Sequence, residues 1–357
     1  MKTIYEANER EVLSMKKLVS MALALLLTLS VLSIPAMAAE NNDDAAVGFL
    51  SYLTLTEHDA FARLKAERIA REYLMEQGVL EGILEKGVGP FDTVIFYDSL
   101  DAMLMGLTSG EVTALSVPDC TARYLCAAND QVEQPNLYHP EKAEGFALDV
   151  LTRLCNGYSF MMLEENSDLK DQFDQAIAEM KSDGTLDELI QTYITDTAES
   201  GEPEAIEFEQ FEGDPIKVAV TGSLPPMDYV AADGTPAGFN TAVLAEIGKR
   251  LGKNIELLQV DSVGRALALA QGNVDVVFWT RGMPERISNE DNPSMSKAEF
   301  ETNLQELRKN ATEEELTIMD TLRESLPDGL YGNRDMPEGT VNTAPYYTDM
   351  NVLVTLK

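Results

Sequence analysis

The hydrophobic and polar positions of this chain change period several times, and each change marks an element. Between residues 57 and 88, Ala60, Leu64, Ile69, Tyr73 and Leu74 are interleaved with charged residues, which predicts a helix. The compact apolar run TVIFY (Thr93–Tyr97) predicts a strand. In the following DSLDAMLMGLTSG, Asp98 or Ser99 is placed to cap a helix and Gly110 to end it. EVTALSV is then a second strand and DCTARYLCAAND a second helix. Ser167–Ile194 reads as a long amphipathic helix broken at Asp183-Gly184 and followed by a short one. Thr197–Pro215 is acidic and without periodicity, and reads as a linker.

Beyond the linker the pattern restarts. IKVAVTG predicts a strand, and NTAVLAEIGKRLGK a helix with Val243, Leu244, Ile247 and Leu251 on one face. IELLQV, SVGRALALAQGN and VDVVFW continue as strand, helix and strand. Strands alternating with helices imply a parallel sheet covered on both faces. Residues 297–326 are helical and heavily charged, and VNTAPYYTDMNVLVTLK closes the chain with a strand. FYDSLDAMLMGLTSGEVTALSV and QVDSVGRALALAQGNVDVVFW echo one another as strand, cap, Ala/Leu helix, glycine stop and strand. Two similar α/β lobes with a cleft between them would produce this echo, and so would a repeated unit with no shared site. Between the first strand after the linker and its helix runs a stiff, nearly charge-free loop with two prolines and an Asp-Gly turn. Rigid loops at strand ends are common places to hold a small ligand.

Charge and cysteine content narrow the functions. The 357 residues carry 61 acidic and 27 basic side chains, a net charge of -34. Such a surface repels phosphate backbones and anionic membrane faces, which argues against nucleic-acid binding. The charge also serves solubility. Two histidines, three cysteines and the absence of Cys-x-x-Cys or His-Glu-x-x-His leave a zinc site or a Cys/His nucleophile pair almost nothing to build on; no metal or cofactor is expected. Cys120, Cys126 and Cys155 read as free thiols, with one disulfide open as an alternative. Met15–Glu40 has two lysines, a long apolar run, Pro35 and an Ala36-Met37-Ala38 site, which predicts a secretory signal peptide over residues 1–38 with its true start at Met15. A membrane anchor is the competing reading, and the acidic stretch after Ala38 favours cleavage.

The residues from Ile216 to Ile287 resemble the first lobe of family 3 bacterial extracellular solute-binding proteins, which feed polar amino acids and related solutes to ABC transporters. The resemblance rests on the Pro-Pro loop, Gly-Phe before the helix, Leu-Gly, Gly-x-Val-Asp and Pro-Glu-Arg. TAPYYTDMNVLVTLK is similar to the strand that leaves this lobe for the hinge. The N-terminal half resembles the family's second lobe in VIFYDSLDAMLMGLTSGEVTALSVPDCTARYL and in the closing helices at Ser167–Ile194. The lobes therefore stand in reversed order, and the second lobe's opening strand is not found. The resemblance implies an α/β, two-lobed periplasmic-binding-protein-like fold of type II, with parallel or mixed sheets flanked by helices and a ligand cleft between lobes. It divides the chain into a second-lobe-like domain over 39–196, a linker over 197–215, and a first-lobe-like domain over 216–357 with a helical insertion at about 288–340. Residues 57–88 would stand in for the missing second-lobe elements.

The resemblance also implies a site. A zwitterionic amino acid needs one fixed cation and one fixed anion, and arginine suits the carboxylate because its planar fork makes two parallel hydrogen bonds. Arg286 matches the family's carboxylate-binding arginine; a surface arginine on a loop is the alternative. Thr280 and Arg281 precede it on the same strand-to-loop turn. Pro118 stands where the ammonium-binding aspartate is usual, and Asp119, one residue on, either takes that role or caps a helix. Leu224, Met227 and Tyr229 form the wall offered by the Pro-Pro loop. Trp279 is either core or platform. The expected function is a secreted, monomeric solute-binding protein for an amino-acid-like solute and an ABC transporter permease. A sensor or degenerate binding module is the alternative, and an enzyme on the same fold is the least favoured, because neither His58 nor His139 lies in a family-matched loop.

Overall fold

The computed structural model describes residues 45–50, 57–82, 91–200, 206–231, 234–260, 264–282, 308–325 and 339–357. The signal segment, Arg286 and most of the insertion expected at about 288–340 lie outside these residues.

The first half alternates strand and helix. It comprises β1 (Ala46–Leu50), α1 (Glu57–Glu76), β2 (Thr93–Tyr97), α2 (Leu100–Ser109), β3 (Ala114–Pro118) and α3 (Asp119–Ala128), then α4 (Gly145–Leu154). The long strand β4 (Cys155–Leu163) leads to the helices α5 (Ser167–Asp183) and α6 (Thr185–Ile190). The second half repeats the alternation with β5 (Ile216–Val220), α7 (Phe239–Leu251), β6 (Ile255–Gln259), α8 (Gly264–Ala270) and β7 (Val276–Gly282). Helix α9 (Glu313–Ser325) and strands β8 (Thr340–Asn342) and β9 (Tyr347–Leu356) end the chain.

All the main strands join one sheet in the order β6-β5-β7-β4-β9-β3-β1-β2. Within β2-β1-β3 and within β7-β5-β6 the pairing is parallel, as βαβ connections require. Between these blocks β4 and β9 run antiparallel to their neighbours and to each other. Strand β9 pairs with β4 through Tyr347–Met350 and with β3 through Asn351–Val354, so it passes from one half to the other. The expected α/β class with a mixed sheet flanked by helices is what the chain forms.

Several local expectations hold and others need correction. Ser99 Oγ accepts from the Ala102 N–H at 3.2 Å and caps α2, which Gly110 ends in the left-handed region. The echoed segments form β2-α2-β3 and β6-α8-β7, equivalent places in the two parallel blocks. A strand that the sequence pattern does not announce is β1, whose AVGFL lies at the centre of its parallel block. Its side chains are buried on both faces, so it lacks the alternation that marks a half-exposed strand. Helix α1 stops at Glu76 rather than running to residue 88, because the chain turns at Gly78 and forms a short strand at Leu80–Gly82. The segment read as a linker begins with a helical turn at Thr197–Ser200, and further on Ile206 is buried and the Phe211 backbone exchanges hydrogen bonds with the Asn254 side chain at 2.7 Å each way.

Three features tie the halves into one body. Phe160 of β4, fully buried, stacks on Tyr346 at 4.7 Å and meets Phe173 of α5 edge-on at 5.3 Å. The closing helices pack on α7, where Arg250 donates to Asp183 at 2.8 Å and to Thr185 at 3.0 Å. Helix α9, in the stretch expected as an insertion, lies on α1 and α4 of the first half and buries Ile318 and Leu322 in that half's core. Under α1 runs a buried ion ladder in which Glu67 pairs with Arg63 at 2.5 Å and with Arg71 at 3.5 Å, while Arg63 also donates to the Leu154 carbonyl at 2.6 Å.

Candidate functional site

The loop after β5 is built around Asp228. Its carboxylate Oδ2 accepts the Thr221 N–H at 2.7 Å, the Thr221 hydroxyl at 2.6 Å and the Gly222 N–H at 3.1 Å. Burial pushes its pKa up, opposed by these hydrogen bonds and by Arg265. The Pro225-Pro226 bond is cis, and Met227 N donates to the Leu224 carbonyl at 2.8 Å. The loop then abuts the start of α7, where Asn240 N donates to the Met227 carbonyl at 2.8 Å. Gly238 sits at φ +106°, and any Cβ there would collide with the Met227 carbonyl, so the close approach requires glycine. Asn240 does not cap α7: its Oδ1 accepts from the Tyr346 hydroxyl at 2.8 Å.

This rigid loop faces the start of α3. The Cys120 thiol lies 3.7 Å from the Met227 sulfur, and the rings of Tyr124 and Tyr229 are 6.2 Å apart. The Tyr229 hydroxyl is buried without a hydrogen-bond partner, and burial pushes its pKa up. Leu224 is half-buried against the same core as Met227. Asp119 is the first residue of α3 rather than its cap; the cap position is Pro118, which has no side-chain hydrogen bond to give. Both Asp119 oxygens are engaged, Oδ1 by Gln134 at 2.8 Å and Oδ2 by Arg123 at 2.7 Å. The role of α3's cap falls to a residue far along the chain: Asp349 of β9 accepts the Cys120 N–H at 2.9 Å. Asp349 is pushed up to about 7 by its burial and by the Asp119 charge beside it.

Trp279, Thr280 and Arg281 lie on β7 opposite Ser159, Tyr158 and Gly157 of β4. The strand carries them along β4 to Gly282, and Arg286 lies beyond it, outside the described residues. The structure thus brings Met227 and Tyr229 together with the start of α3, next to Asp119. Sequence reasoning missed Asp349, Asn156, Cys120 and Tyr124. One signal was present: an aspartate inside the apolar strand YTDMNVLVTL is a residue type that strands disfavour. The three cysteines are free, and among the described residues no group of three His, Cys, Asp or Glu side chains is placed to hold a metal ion.

A mixed sheet whose two parallel blocks are joined by antiparallel crossing strands, with a rigid loop of one block facing a helix start of the other, defines a class of α/β protein. Within it, residues 216–314 match the family described as bacterial extracellular solute-binding proteins, family 3. No curated protein matches the chain. Among solved structures, the ligand-binding component of an ABC-type import system from Staphylococcus aureus, with zinc bound, is 9% identical with a TM-score of 0.33, over 87% of this chain and 65% of that one. NikA from Staphylococcus aureus in complex with Ni(L-His)2 is 13% identical with a TM-score of 0.34, over 74% and 57%. The L-cystine solute receptor of Neisseria gonorrhoeae is 12% identical with a TM-score of 0.28, over 88% and 79%. The chain spans less than two thirds of the first two of these proteins.

Proposed function

We propose that the chain is a secreted solute-binding protein that captures an amino-acid-like solute between the two halves of its sheet and presents it to an ABC transporter permease. The observation that carries this reading is the facing of the loop Thr221–Tyr229 and the start of α3 across the crossing strands. In this reading 39–196 and 216–357 act as the two lobes, joined by 197–215, and β4 and β9 are the hinge. The family match over 216–314 supports solute capture rather than turnover. It also supports export, for which the Met15–Ala38 segment supplies the signal. Arg286 takes the solute's carboxylate, with Thr280 and Arg281 beside it, while Leu224, Met227, Tyr229 and Trp279 give the wall. Arg286→Ala should weaken binding by about 2–5 kcal/mol, since it leaves a charged partner unpaired in a closed site.

The test is a thermal-shift screen of the chain against amino acids, amines and short peptides. A true ligand at one hundred times its Kd should add about 2.7 kcal/mol of stability. If none of these solutes raises the melting temperature, the reading is wrong.

A further inference from the structure

A pocket of about 470 Å³ opens on the flank of α3, and none of its lining residues belongs to the loop Thr221–Tyr229 or to β7. Its walls are α3, the short strand Val132–Glu133 that pairs with the end of β9, and the chain that follows α6. That size falls within the range of small-ligand sites. The third wall departs from regular helix. Gln191–Asp196 is wound as a π-helix, and the Thr197 hydroxyl donates to the carbonyl of Thr192, five residues back, at 3.2 Å. Such turns are rare and occur frequently at functional sites. Here the π-turn delivers Ile194 and Thr195 to the pocket, and the helical turn after it delivers Ala198. The lining is apolar in its depth and charged at its mouth. Val132 and Ile194 are buried, and Leu137, half-exposed, extends the apolar surface outwards. Arg123 is exposed; its Nη2 pairs with Asp119 at 2.7 Å, and its other N–H groups have no partner among the described residues. Lys357 is exposed, and its ammonium has no ion pair among the described residues. Glu133 is the one acid on the lining. Two cations against one acid reverse the balance of a chain with 27 basic and 61 acidic residues.

We propose that this pocket is a second ligand site, separate from the solute-capture site, and that it takes a small monocarboxylate with an apolar body of the size of a medium-chain fatty acid. The body packs on Val132, Leu137 and Ile194, and the apolar surface it buries drives binding. The carboxylate meets Arg123, which keeps N–H donors beyond those Asp119 takes, and the Lys357 ammonium. A cationic head would meet two like charges at the mouth. An amino acid would bring its ammonium there without the apolar body, so the solutes of the capture screen are not the ligands of this pocket.

The experiment is calorimetric titration of the full chain with octanoate, octylamine and octanol, paired with alkylation of Cys126, whose half-buried thiol lines the pocket, read by peptide mass mapping. Octanoate should bind saturably and at least about tenfold more tightly than octylamine or octanol. It should also slow the alkylation of Cys126 in proportion to its occupancy. Arg123→Gln should lose at least about tenfold in octanoate affinity and leave octanol unchanged. Ala127→Trp, at an exposed position of α3 that lines the pocket, fills it without touching the core, and should abolish octanoate binding with thermal unfolding unchanged. Octylamine or octanol binding as tightly as octanoate would overturn the carboxylate assignment. Octanoate binding that survives Ala127→Trp, or that leaves Cys126 as reactive as before, would overturn the site, as would no saturable binding at all. The amino acid screen uses other probes, so this site and solute capture stand or fall separately.

Discussion

Asp228 and Glu67 are each the hub of a buried polar group, and each predicts a measurable loss. Asp228→Ala would orphan the Thr221 and Gly222 N–H groups and the Thr221 hydroxyl, at a cost of about 1–3 kcal/mol per buried unsatisfied group. Urea unfolding should show the loss, and an unchanged midpoint would mean that the loop is not held by this carboxylate. Glu67→Ala would leave Arg63 and Arg71 together beneath α1 without their anion, costing about 3–5 kcal/mol. The Asp349 carboxyl carries a pH signature. Its folded pKa of about 7 lies above the ordinary 3.8, so the folded state holds the proton more tightly. Its contribution to stability is therefore greatest below about pH 4 and is lost as pH rises towards 7. Asp349→Asn should remove that part of the decline in unfolding free energy; an identical pH profile in the variant would contradict the assignment. At this scale the rigid loop Leu224–Tyr229 was legible because two prolines and an Asp-Gly turn announce it. Asp349 was not, because its meaning depends on α3, more than two hundred residues away in sequence.

Elements with strong periodicity or clear punctuation were readable. Helix α2 carries its own serine cap and glycine stop, and α5 breaks at Gly184 in the left-handed region where the Asp-Gly pair predicted it. Elements whose identity depends on distant partners were not. Strand β1 is five residues long and buried throughout, so only its pairing with β2 and β3 reveals it. Helix α9 could be recognised as helical from its charged pattern, but not that it would cover the first half's core. That packing makes α9 structural: Leu322, fully buried between α9 and the first half, should cost about 2–5 kcal/mol when changed to Ala. A change of less than about 0.5 kcal/mol, typical of surface positions, would show α9 to be a passive appendage.

For the whole molecule, the two halves have the same topology. Each half has a parallel block of three strands, and the two crossing strands β4 and β9 join them. Pattern along the chain showed the two α/β halves and their echo, while the joining of both into one sheet emerges only from the pairing of β4 with β7 and β9 and of β9 with β3. Two independent binding fragments would each need a site of their own, whereas a single body with facing walls makes one. Calorimetric titration of the full chain with the strongest hit of the solute screen decides between them. Capture between the halves predicts one ligand per chain, with a negative heat-capacity change as apolar surface closes over it. Two ligands per chain, or no saturable binding, would contradict it.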